Sequence, residues 1–161
     1  MSEIQKNAPL ISQLLATWIK GENSESYTLA NYANAAAILF QNMTAVNWAG
    51  FYLYHAETNT LALGPFLGKP ATALIAPDKG VVGNAFTAQK TIVVPDVHAF
   101  SGHIVCDVDS NAEIVIPITT ANGQKIGVLD IDSTQLNRFS KQEQADLEHF
   151  VQTLIQYIEV S

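Results

Sequence analysis

The chain has 161 residues, 48% of them apolar and 14% charged, with a formal net charge of −7. That length and composition predict one domain over 1–161 whose core needs no disulfide or metal, and they exclude a disordered chain. The acidic balance argues against nucleic acid, whose phosphates demand a basic footprint, and no basic amphipathic run addresses a membrane surface.

The opening stretch MSEIQKNAPLISQLL lacks the basic and then unbroken apolar pattern of a secretory signal. Nowhere do about 18 apolar residues run together as a membrane span requires. Residues 9–20 place Leu10, Ile11, Leu14, Leu15, Trp18 and Ile19 at helical spacing, which predicts an amphipathic helix ended by Gly21. Residues 25–41 are rich in alanine and free of Gly and Pro, and predict a second helix. The pattern then turns aromatic and β-branched at 45–54, which reads as a strand. Short strands are expected at 58–64 and 71–76. A glycine-led turn into a short helix is expected at 79–89, and a strand at 91–96 stopped by Pro95. Residues 97–111 show no period and read as a loop. Two more strands, 113–118 and 125–132, are joined across TTANGQ. The run SKQE at 140–143 fits a capping box, opening a last helix with Leu147, Phe150, Val151, Leu154 and Ile158 on one face. Helices at both ends of a mostly antiparallel sheet predict an α+β domain. The terminal helices pack on one sheet face and leave the other for loops and any pocket.

Asn-Gly favours a two-residue type I′ hairpin turn, because both central residues need positive φ. With Asn122 and Gly123 as those residues, Glu113 falls opposite Asp132 and Val115 opposite Asp130. Alternation then gathers Glu113, Asp130 and Asp132 on one face and turns Ile114, Ile116, Ile118, Leu129 and Ile131 to the core. Like charges placed opposite one another destabilise a sheet. If that face is partly buried, repulsion and desolvation raise at least one carboxyl pKa and leave a group able to donate a proton. If it faces water, the acids are simply a solvated edge. On the strand at 45–54 Trp48, Gly50, Tyr52 and Tyr54 share a face. There Trp48 and Tyr52 flank a position with no side chain, which offers either a slot for a small apolar group or ordinary core packing.

The single cysteine, Cys106, lies in the polar loop stretch SGHIVCDVDS. With no second cysteine to pair with and no export signal, a free thiol in a reducing cytoplasm is expected. The run DVDSNAE begins like a calcium loop, but Ala112 and Ile118 stand where Gly and Glu are needed. His98, His103, Cys106 and Asp109 match no common zinc spacing. No dinucleotide, Walker or GxSxG sequence is present, and His55 and His149 read as surface residues.

The phrases NWAGFYLY, LGPFLGKPA, KGVVGNAF, VVPDVHAFSGHIVCD, SNAEIVIPI and GVLDIDS together resemble the free methionine-(R)-sulfoxide reductase family over nearly the whole chain. The resemblance implies a stand-alone GAF domain that reduces the R-sulfoxide of free methionine, with no bound cofactor or metal and with thioredoxin usually supplying electrons. It implies Cys106 as the catalytic cysteine and Trp48 and Tyr52 as the aromatics holding the substrate's methyl group. Glu113, Asp130 and Asp132 would be the carboxylates at the sulfoxide. Two further cysteines usual in the family are replaced here by Thr72 and Val82. An external reductant, thioredoxin or a low-molecular-weight thiol such as glutathione, is therefore expected to regenerate Cys106. His103, near in sequence, is a candidate to offset the acids that oppose a thiolate. The substrate carboxylate is expected at the backbone amides of Gly80–Gly83. A non-catalytic binding or sensor module, or a scaffold with no ligand, is the alternative that loss of two cysteines raises. A homodimer is expected by analogy of fold.

Overall fold

A computed structural model of the chain describes residues 7–19 and 25–158. Helix α1 (Leu10–Trp18) is followed by α2 (Glu25–Asn42). The expected stop at Gly21 lies outside the described residues. Strands β1 (Val46–His55), β2 (Thr60–Leu67) and β3 (Leu74–Ile75) come next, then helix α3 (Gly80–Ala88) and strand β4 (Ile92–Val94). Strands β5 (Ala112–Thr119) and β6 (Lys125–Ser133) precede the last helix, α4 (Lys141–Ile155). The six strands form one sheet in the order β3-β2-β1-β6-β5-β4, with every neighbouring pair antiparallel. None of the described helices is long and apolar enough to cross a membrane.

The sheet is covered on both faces. On one face α1 packs on α2 and α4, α2 covers β1 and β2, and α4 covers β5. Leu15, Leu39, Phe51, Ile114, Ile131 and Phe150 form the buried centre of that layer. Each such side chain contributes roughly 1.5–3 kcal/mol by leaving water. α4 starts where its sequence says it should: the Ser140 hydroxyl accepts from the Glu143 amide at 3.1 Å and the Glu143 carboxylate reaches back to the Ser140 amide. On the other face α3 packs over β5 and β6, and Trp48, Tyr52, Val82, Phe86, Val115 and Val128 form a second, smaller core. The 97–111 segment crosses this second face. It holds one 3-10 turn, Val97–Ala99, that the sequence did not announce, capped by Asp96 accepting from the His98 amide.

The β5–β6 register is the expected one, but its origin is different. Glu113 pairs with Asp132 and Val115 with Asp130. The turn, however, is not a two-residue type I′ turn. Gly123 alone of the Asn-Gly pair has positive φ. The Gly123 amide donates to Thr120 O at 2.9 Å and the Thr120 amide to Gln124 O at 2.9 Å. This is a three-residue connection with glycine in the left-handed position. Such a turn shifts the pairing by one residue. A bulge then shifts it back: Thr119 pairs with Lys125 but Ile118 with Gly127, leaving Ile126 as the extra residue. Gly127, at φ +155, is where β6 crowds β1. A Cβ there would sit 2.1 Å from the Tyr52 carbonyl oxygen.

Candidate functional site

A pocket opens on the face away from the terminal helices. Its floor is β1, β5 and β6, one wall is α3, and its mouth is the 97–111 segment. Alternation along the strands sends Trp48 and Tyr52 from β1, Glu113 from β5, and Asp130 and Asp132 from β6 into this one space. Cys106 joins them from the loop, with its residue exposed at the mouth. All six residues singled out in the sequence therefore line a single pocket.

Glu113 and Asp130 are buried and Asp132 is half-buried. Oxygens of the three carboxyls lie within 4.8 Å of one another. Water cannot screen charges held this close in an apolar setting, so the charged forms are disfavoured. Burial pushes Glu113 up to about 8, with the Asp132 carboxylate beside it adding to the rise. Burial also holds Asp130 well above the usual carboxylate range, reinforced by Glu113. Asp132 is raised by burial and then by Asp130. At neutral pH the trio therefore carries protons, and its chemistry is that of a hydrogen-bond and proton donor. The same spacing suits three oxygen ligands to a cation, but a trio with this proton affinity offers fewer anionic ligands than its residue count implies. Asp130 Oδ1 is buried and meets no hydrogen-bond donor among the described residues. A buried polar oxygen left unmet costs about 1–3 kcal/mol, which a bound polar group would offset.

The aromatic wall differs in detail from expectation. Trp48 and Tyr52 are nearly parallel, at 23°, with ring centroids 6.1 Å apart. A carbon sandwiched between two rings needs about 7–8 Å, so a methyl group meets the exposed faces and edges of this pair and does not enter between them. Nor is the space over Gly50 open: a Cβ there would lie 2.2 Å from Phe66 Cβ, because β2 seats against it. Phe66 stacks on the other side of Trp48, at 5.1 Å and 14°. Both pocket rings also have a polar task. Trp48 Nε1 donates to Lys69 O at 3.0 Å, and the Tyr52 hydroxyl donates to Thr72 O at 2.9 Å. The loop between β2 and β3 is thereby tied to the pocket wall.

That loop meets the cysteine. The Thr72 amide donates to Cys106 Sγ at 3.4 Å, and the Thr72 hydroxyl lies 3.4 Å from the same sulfur. Lys69 Nζ bonds to buried Asp107 at 3.1 Å. Asp107 in turn accepts from Asn47 and from the Asp109 amide. These bonds clamp the cysteine loop, and no spacing in the sequence links positions 47, 69 and 107. His103 is also placed otherwise than expected. Its Nε2 lies 3.3 Å from Glu113 Oε1, at the acids and not at the thiol. Burial lowers the imidazole's proton affinity while raising that of Glu113, so the contact joins two groups that both disfavour charge. The four zinc candidates go their separate ways: His98 to Asp96, His103 to Glu113, Asp109 to Lys69 and Cys106 to Thr72. His55 and His149 are exposed, the latter bonded to Ser12 at 2.8 Å.

Residues 29–158 match the GAF domain family. The chain is 47% identical to the free methionine-R-sulfoxide reductase of Escherichia coli over 130 residues, 81% of this chain and 77% of that protein. It is 43% identical to Protein YtsP of Bacillus subtilis over 150 residues, 93% of this chain and 90% of that one. Among solved structures it is similar to the free methionine-R-sulfoxide reductase of Neisseria meningitidis in complex with its substrate. There the TM-score is 0.85 at 32% identity, covering 98% of this chain and 91% of that one.

Proposed function

The chain belongs to the GAF domain family and, within it, to the free methionine-R-sulfoxide reductases, and from that premise we propose that it reduces free L-methionine (R)-S-oxide to L-methionine through Cys106. The observation that carries the reading is the buried carboxyl trio, with the unmet Asp130 oxygen, gathered in the pocket whose mouth holds the thiol. A sulfoxide oxygen is a hydrogen-bond acceptor and a poor leaving group until protonated. A trio that keeps its protons at neutral pH can bind it first and protonate it afterwards.

In this mechanism the substrate's methyl lies against Trp48 and Tyr52. Its carboxylate meets the first turn of α3, where the amides of Gly80, Val81 and Val82 precede the first intrahelical acceptor. The Gly83 amide is already taken by Lys79 O at 2.8 Å. Cys106 attacks the sulfoxide sulfur as a carboxyl proton passes to the oxygen. In net terms one oxygen moves from substrate to cysteine: sulfoxide and thiol become sulfide and sulfenic acid. The methionine sulfur gains two electrons and the Cys106 sulfur loses them. A first external thiol then displaces water to form a mixed disulfide, and a second releases Cys106 as a thiol. Thioredoxin or a low-molecular-weight thiol fills that role, because Thr72 and Val82 stand where the family's other cysteines would be. No bound cofactor takes part.

The test uses purified protein, free R-sulfoxide and excess dithiothreitol, with methionine release as the readout. Release that disappears in Cys106→Ser supports the reductase. Binding of the sulfoxide without release refutes it in favour of a sensor.

A further inference from the structure

We infer that Thr72 is the positioning residue of the thiol, its amide and its hydroxyl together fixing the Cys106 sulfur at the pocket mouth and hydrogen-bonding to it in the attack. The inference rests on the reading of Cys106 as the nucleophile. Two observations carry it. The amide and the hydroxyl of one residue converge on Sγ at 3.4 Å, and that residue is itself fixed, because the Tyr52 hydroxyl donates to its carbonyl at 2.9 Å.

The surroundings make such a device necessary. From β5 and β6, Glu113 and Asp132 face the sulfur with raised proton affinity, and Asp107 lies in the cysteine's own loop. Among the described residues, no cation is left free to hold the sulfur. Lys69, on the same loop as Thr72, is engaged by Asp107 at 3.1 Å and Asp109 at 3.5 Å. His103 faces Glu113. The Tyr52 hydroxyl spends its proton on Thr72 O. Among the described residues, hydrogen bonds to the sulfur come from Thr72 alone. A thiol can donate to the Thr72 oxygen, but a thiolate can only accept, so ionisation turns the hydroxyl into a donor. Hydrogen bonding to the charged form favours that form. Threonine at this place cannot close a disulfide, and its hydroxyl instead assists the attack.

Cys106 is the only cysteine in the chain, so alkylation by iodoacetamide, read by intact mass, reports on this one sulfur. The rate is measured from pH 5 to pH 10 on the wild type, Thr72→Val and Thr72→Ser. Thr72→Val keeps the shape and the amide but removes the hydroxyl. Its profile should move to higher pH, with a rate at pH 7 about fivefold lower and an undiminished plateau at high pH. Thr72→Ser should return the profile to that of the wild type. In dithiothreitol-driven turnover, Thr72→Val should lower kcat with little change in KM. Superimposed profiles for wild type and Thr72→Val overturn the inference, and so does a lowered plateau that Thr72→Ser fails to restore. If the profiles shift as stated but the wild type releases no methionine, the reductase reading fails and the role of Thr72 stands. If methionine is released and the profiles coincide, the reverse holds.

Discussion

The carboxyl trio should make this protein less stable as pH rises through neutrality, and the effect is large enough to measure. Glu113 holds its proton in the folded chain up to about pH 8, against 4.5 for its ordinary value. The stability that this proton contributes is therefore complete below pH 4.5 and is lost as pH climbs to 8. Between those limits the folded state binds one proton more than the unfolded state. Stability then falls by about 1.4 kcal/mol per pH unit. From pH 6.5 to pH 8 the loss is about 2 kcal/mol, or roughly 4–8 °C in Tm for a domain of this size. Asp130 and Asp132 shift in the same direction, so one proton's slope is the minimum. His103 has the opposite sign, because its lowered value makes acid destabilising, but its window lies below 6.5. Asp96 and Asp107, both held low by hydrogen bonds, lose their contribution only below about pH 4. The interval from pH 6.5 to pH 8 thus isolates the trio. Urea unfolding at four pH values across it, for wild type and Glu113→Gln, is the assay. The variant keeps the shape and hydrogen bonding of a neutral carboxyl, and its slope should be shallower by one proton. A wild-type midpoint that stays level or rises from pH 6.5 to pH 8 refutes the claim that the trio is buried and protonated.

Three further outcomes are expected. Thr72→Cys places a sulfur where a hydroxyl now lies 3.4 Å from Cys106 Sγ, within a small shift of the roughly 2.05 Å of a disulfide. After a single turnover without reductant, its intact mass should fall by two hydrogens and its thioredoxin-driven rate should exceed the wild type's. Wild type should instead carry one added oxygen that dimedone captures. Trp48→Leu removes a 3%-exposed ring that walls the pocket and holds the Lys69 carbonyl. It should lower kcat/KM for the free sulfoxide about 30-fold, some 2 kcal/mol of transition-state binding. Gly127→Ala should cost about 3 kcal/mol, since its Cβ meets the Tyr52 oxygen at 2.1 Å. Gly123→Ala, with nothing within 4 Å of its Cβ, should cost only about 1 kcal/mol, and paired melting curves separate the two.

What could be read from the sequence follows the range of the interactions involved. Strand alternation is local, so the faces of β1, β5 and β6 were legible. With them came the grouping of Glu113, Asp130 and Asp132 on one face and of Trp48 and Tyr52 on another, while the pairing of β1 with β6 that joins the two sets in one pocket is a long-range contact. The contacts of the 97–111 loop were not legible, because irregular backbone has no period. Asp107 finds Lys69 and Asn47, His103 finds Glu113, and Cys106 finds Thr72 only after the sheet has brought distant segments together. The hairpin lies between these cases. The expected turn and the actual one differ by a residue, and a slip of one residue would send Asp130 and Asp132 into the core among Ile114 and Phe51. The bulge at Ile126 prevents this. A solvated turn can adopt either form at little cost, whereas burying two carboxyls in an aliphatic layer costs several kcal/mol each. The register is therefore set by the side chains of the strands, and the turn adapts to it. The acids that make the pocket chemically competent also forbid the alternative pairing, so the correct fold and the proposed chemistry depend on the same residues.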